Sequence, residues 1–76
     1  MKLYFTERLE PAYSALRVLD AGGVQVDRRD SRVDRGNPAL LRATLPPLSP
    51  GIYKVIWRVL SIDADITEGA FTFRIE

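Results

Sequence analysis

Along this chain the apolar positions recur every second residue, not every third or fourth. From Gly51 the sequence runs Ile52-Tyr53-Lys54-Val55-Ile56-Trp57-Arg58-Val59-Leu60. Tyr53, Val55, Trp57 and Val59 then share one face, while Lys54 and Arg58 take the other with Ile56 between them. Ala70 to Ile75 repeats the pattern, with Phe71, Phe73 and Ile75 inward and Thr72 and Arg74 outward. Shorter alternations predict a first strand at Leu3 and Phe5, a second within Ala15–Leu19, and a later one at Leu41, Ala43 and Leu45. Asp20-Ala21-Gly22-Gly23 separates the second strand from Val24-Gln25-Val26 at the spacing of a hairpin. Pro46-Pro47-Leu48-Ser49-Pro50-Gly51 is a loop, since prolines cannot sit in a central strand. Six short strands broken by turn signals predict one all-β domain over residues 1–76, an antiparallel sandwich or barrel.

Charge adds one feature. Asp27 to Arg35 holds four arginines and three aspartates, which reads as a solvated loop or a ragged edge strand that repels other edges. The interleaved aspartates nearly cancel Arg28, Arg29, Arg32 and Arg35 as a phosphate-binding patch, and the run lacks the spacing of an EF-hand. With a net charge of +1, no bulk field draws the chain to nucleic acid. No segment reaches the 18 or so apolar residues of a spanning helix, and the first residues do not form a signal peptide.

Composition then removes most catalytic chemistry. The chain has no cysteine, no histidine and a single methionine at position 1. Disulfides, thiol chemistry, ordinary zinc sites and sulfur-rich Cu(I) sites are excluded, as is the commonest general base. Ser14, Ser31, Ser49 and Ser61 have no imidazole to activate them, and Glu7 with Glu10 has no evident substrate pocket. Trp57 with Tyr53 and Arg58 could stack on a base or sugar, but its inward position marks it as core. The expectation is a binding domain, not an enzyme.

Three segments carry a family resemblance. The stretch Leu3-Tyr4-Phe5-Thr6-Glu7 resembles the strand ending in Phe-Ser-Glu of CopC-type domains, and an acidic and aromatic turn follows it here at Glu10–Tyr13. Leu45 to Val59 is similar to the family's Leu-x-Pro-Gly-x-Tyr-x-Val-x-Trp-Arg signature, the most specific of the three. Ser61 to Phe73 is similar to Ser-x-Asp-x-His-x-x-x-Gly-x-Phe-x-Phe. The resemblance implies a Greek-key, immunoglobulin-like antiparallel β-sandwich that holds Cu(II) in the periplasm or at the cell surface. It places the copper ligands at an N-terminal histidine, at the aspartate and histidine of Asp-x-His, and in some members at the glutamate. Asp63 matches that aspartate and Glu7 that glutamate, but Asp65 stands where the histidine belongs. The N-terminal histidine has no counterpart, as though the chain begins about one strand late.

These departures leave only carboxylates at Glu7, Asp63 and Asp65 for a metal that favours nitrogen ligands. If residues 63–65 are extended, Asp63 and Asp65 point to one side, and the cluster either takes a hard cation such as Ca²⁺ or Mg²⁺ or stays solvated. The expectation is no cofactor bound by this chain, with a degenerate Cu(II) site. A missing first strand would also leave an open sheet edge, to be covered by a second copy, by a partner's strand or by further sequence of the same protein outside these residues.

Overall fold

A computed structural model describes residues 1–76. Six strands form two antiparallel three-stranded sheets. The short sheet contains β1 (Lys2–Tyr4), β4 (Leu40–Arg42) and β3 (Arg32–Val33), in the spatial order β1-β4-β3. The long sheet contains β2 (Ala15–Leu19), β5 (Gly51–Leu60) and β6 (Ile66–Ile75), in the order β2-β5-β6. Packed face to face, these sheets make the expected sandwich. A single turn of 3₁₀ helix at Pro11–Tyr13 leads from the short sheet to β2.

The period-two pattern fixes the core. Tyr53, Val55 and Val59 of β5 are buried, with Leu16 and Val18 of β2 on the same face. From the opposite sheet Leu41 and Ala43 meet them, and Leu9 closes one end. Trp57 is partly buried against this cluster, in keeping with its reading as core. Tyr53 stacks on Phe73 at 5.5 Å between ring centroids, and its hydroxyl donates to Ser49 O at 2.6 Å. A stacking platform of Trp57, Tyr53 and Arg58 therefore does not form: Tyr53 is interior, and Arg58 lies on the other face of β5.

Three expectations change in detail. The anticipated strand at Val24–Val26 is reduced to one bridge, Leu19 to Gln25, around an Asp20–Gly23 turn in which Gly23 has φ +84°. Arg32–Val33 is the sixth strand instead. The strand at Leu41–Leu45 ends at Arg42, and Leu40 is buried beside Leu41, so strict alternation fails there. The last strand begins at Ile66, four residues before Ala70, because the β5–β6 connection is a tight turn.

The Asp27–Arg35 run contains the edge strand β3, as one of its two readings expected. The part before that strand is tied down by its own side chains, while its arginines stay exposed. Asp27 is only 6% exposed, and its carboxylate accepts from the Val18 N–H at 2.8 Å, the Arg29 N–H at 3.1 Å and Gln25 Nε2 at 3.1 Å. Ser31 Oγ accepts from the Leu16 N–H at 2.8 Å. On its other side the segment reaches the short sheet: the Arg28 N–H donates to Thr44 O at 2.9 Å, and Asp30 Oδ1 accepts from the Thr44 N–H at 2.8 Å. Asp27 and Ser31 thus satisfy backbone donors that would otherwise be unpaired at the edge of β2. They close one long side of the sandwich. Asp34 pairs with Arg42 of β4 at 2.9 Å, and this hydrogen bond holds its carboxyl below the usual range. Asp30 is likewise held low, chiefly by hydrogen bonding from Thr44.

The opposite long side has no such segment. Ten residues at about 3.4 Å each make β6 about 34 Å long, close to the 38 Å long axis of the molecule. The three-residue strands β1 and β4 cannot cover it, and no residue of β6 is buried.

Candidate metal centre

The candidate carboxylates lie at one end of the sandwich, where β5 turns into β6. Leu60 pairs with Ile66 in the hairpin register, and the Ser61 N–H donates to Asp65 O at 2.9 Å. The Ala64 N–H donates to Ser61 O at 2.9 Å and the Asp65 N–H to Ser61 Oγ at 3.2 Å. Ala64 has φ +67°, the left-handed residue that closes a three-residue hairpin loop. Residues 63–65 are therefore turned and not extended, so the condition that would set Asp63 and Asp65 side by side is not met.

Glu7 approaches through its neighbour. Arg8 O accepts from the Ile62 N–H at 3.0 Å, Leu9 bridges to Ser61, and the Glu10 N–H donates to Leu60 O at 2.7 Å. The segment after β1 thus lies against the β5–β6 turn, with Ser14 Oγ accepting from the Leu60 N–H at 3.2 Å to hold the same end. Ser14 and Ser61 are buried hydroxyls that sequence reasoning weighed only as nucleophiles; their work here is to hold backbone. The backbones meet, but the carboxylates do not converge. Glu7, Asp63 and Asp65 are all exposed, and no three His, Cys, Asp or Glu side chains anywhere in the chain group as metal ligands would.

The family model for the CopC domain matches residues 1–76. The chain belongs to the CopC family. Among solved structures it is similar to the crystal structure of CopC from Methylosinus trichosporium OB3b, with a TM-score of 0.83 and 36% sequence identity over 99% of this chain and 72% of that one. A comparison with curated proteins returns no match. The architecture above is thus the CopC β-sandwich.

Family membership raises Cu(II), and the donor set can be tested against it. Cu(II) calls for nitrogen donors in a tetragonal array. This chain offers no imidazole, and the Asp65 position carries an exposed carboxylate in a turn. These residues do not fit a CopC-type copper centre. No helix is long and apolar enough to cross a membrane.

Proposed function

We propose that this CopC-family domain serves copper handling outside the cytoplasm as a scaffold, without a Cu(II) centre of its own and without enzymatic activity. One observation carries the reading: at the position where the family resemblance puts a histidine, Asp65 projects from a turn that is otherwise well built. Its backbone N–H and C=O are both tied to Ser61, so exchanging its side chain leaves the turn in place.

The test is a Cu(II) titration followed by calorimetry and EPR on the native chain and on Asp65→His. The reading expects a silent native chain and a nitrogen-ligated signal from the variant. Tight, stoichiometric Cu(II) binding by the native chain would overturn it.

A second reading, a hard-cation site at Glu7, Asp63 and Asp65, draws on the contact between Arg8 and Ile62 that makes the two segments neighbours. It requires that Ca²⁺ or Mg²⁺ draw the three exposed carboxylates together. Ligand that binds only the folded state raises its stability, so an unchanged melting temperature at millimolar Ca²⁺ removes this reading.

A further inference from the structure

The outer face of the long sheet carries a cleft walled by the segment that closes the β2 side. Side chains alternate along a strand, so with Leu16, Val18 and Val55 buried, Arg17, Ile56 and Arg58 belong to the outer face. The register sets Arg17 opposite Ile56, which makes Arg17 and Arg58 diagonal neighbours, about 7–8 Å apart. Gln25, Asp27, Arg29 and Ser31 form the wall beside β2. The cleft measures about 410 Å³, within the roughly 300–1,000 Å³ of small-ligand sites. Every residue that lines it falls between Ala15 and Arg58, so the interior of the chain builds it and the chain ends do not.

The charges of this cleft do not balance. Three arginines face one aspartate, and the oxygens of Asp27 are already occupied. Its Oδ1 accepts from the Val18 N–H, and its Oδ2 from the Arg29 N–H and Gln25 Nε2. Asp30, the next acid along the wall, is taken up by Thr44 and Arg32. Glu68 lies across from Arg58 at 3.6 Å, with both side chains exposed, and such a pair is weak. Arg17 and Arg29 belong to none of the ion pairs of the chain.

Arg29 adds a separate observation. Its φ is +58°, held by the bond from its N–H to Asp27. Glycine or asparagine adopts this left-handed conformation at less cost. An arginine stands there instead, its side chain exposed at the cleft and without an ionic partner.

We propose that Arg17, Arg29 and Arg58 hold the phosphate group of a phosphate ester. A phosphate monoester has three terminal oxygens and close to two negative charges, which suits three arginines set against one aspartate. A carboxylate offers two oxygens and one charge. Guanidinium forks donate paired N–H groups to phosphate. Ser31 Oγ accepts from the Leu16 N–H, which leaves its own proton free to donate as well. The inference does not rest on the state of the copper site, and its test involves no metal.

The experiment is an NMR titration of the nitrogen-15-labelled chain with glycerol phosphate at low ionic strength, with thermal unfolding alongside. Saturable shifts of the Arg29 and Ser31 amides are expected. Arg17→Gln should weaken binding about tenfold, the worth of one charge-assisted hydrogen bond. Arg35→Gln removes the same charge outside the cleft and should change affinity by less than about twofold. Glu68→Gln releases Arg58 and should tighten binding. Arg29→Gly should weaken binding without lowering the melting temperature, because glycine takes this φ freely. Vesicles containing phosphatidic acid decide the source of the phosphate. Co-sedimentation that Arg17→Gln abolishes identifies a lipid headgroup, and a chain left in the supernatant identifies a soluble ester. Shifts that never saturate, or equal losses from Arg17→Gln and Arg35→Gln, overturn the proposal, because the arginines then act only as diffuse charge. Succinate binding more tightly than glycerol phosphate also overturns it.

Discussion

The two long sides of this sandwich meet the same physical requirement in different ways. Each side ends in a strand of the long sheet, β2 on one and β6 on the other, whose outward backbone groups need partners. At β2 the partners are side chains: Asp27 and Ser31 take the Val18 and Leu16 N–H groups, and the same segment reaches across to Thr44. At β6 no segment of this chain does so. Internal backbone hydrogen bonding is correspondingly sparse, at 34 bonds for 76 residues, below the two-thirds or so of about one bond per residue expected of a closed domain. The closed side is thus tied down within one chain, and on the other side the outward groups of β6 have no strand of this chain beside them.

The largest effect should come from breaking the closed side. Asp27→Ala strands the Val18 N–H in the interior along with two further donors, and a buried donor left without its charged acceptor costs about 2–3 kcal/mol. Urea unfolding should show this loss, and Asp27→Asn, which keeps one acceptor oxygen, should recover part of it. Next comes the single tight contact of the open side. A Cβ added at Gly69 would sit 2.5 Å from Trp57 Cη2, so Gly69→Ala forces the indole to move. Overpacking of this kind costs about 1–3 kcal/mol, and Trp57 fluorescence should shift with it. Phe71→Ala should cost less than the roughly 3–5 kcal/mol of a fully buried phenylalanine, because its ring is already 40% exposed. If Phe71→Ala proves as damaging as Asp27→Ala, the open side contributes more to folding than its exposure implies.

The same contrast explains what could be read in advance. The long sheet was legible because β5 and β6 keep a strict period of two, and Tyr53, Val55 and Val59 lie where that period puts them. The closing segment was not, because its order rests on side-chain oxygens meeting backbone N–H groups, and hydropathy does not register such bonds. A signal was present all the same: Asp20, Asp27, Asp34 and Asn37 each accept from the N–H two residues on, the turn habit of Asx residues. At the candidate metal centre the sequence supplied Asp63, Asp65 and Glu7 and the family they resemble. It could not supply the left-handed Ala64, which turns the segment and separates the carboxylates. Nor does Trp57 show in sequence that its buried Nε1–H has no acceptor. That depends on where Gly69 lets the ring lie.

The smallest expected effect sharpens the comparison through pH. Asp30 and Asp34, both on the closed side, have folded-state carboxyls held below the ordinary value of 3.8, by Thr44 and by Arg42 respectively. A carboxyl whose folded value is depressed contributes stability that is fully present above its unfolded value. That contribution is lost as pH falls through the folded value. Melting temperature should therefore stay level down to about pH 4 on account of these two groups, then fall as the pH drops further. Asp30→Asn with Asp34→Asn should lower the plateau slightly and flatten the acid limb, because the variant has no ionised form to lose at either position. Both groups are solvent-facing and paired with arginine, Asp30 with Arg32 at 3.3 Å and Asp34 with Arg42 at 2.9 Å, so added salt should shrink the difference. An acid limb equally steep in the double variant would mean that the backbone bonds of Thr44 and Gly36, and not the charges they meet, hold this side closed.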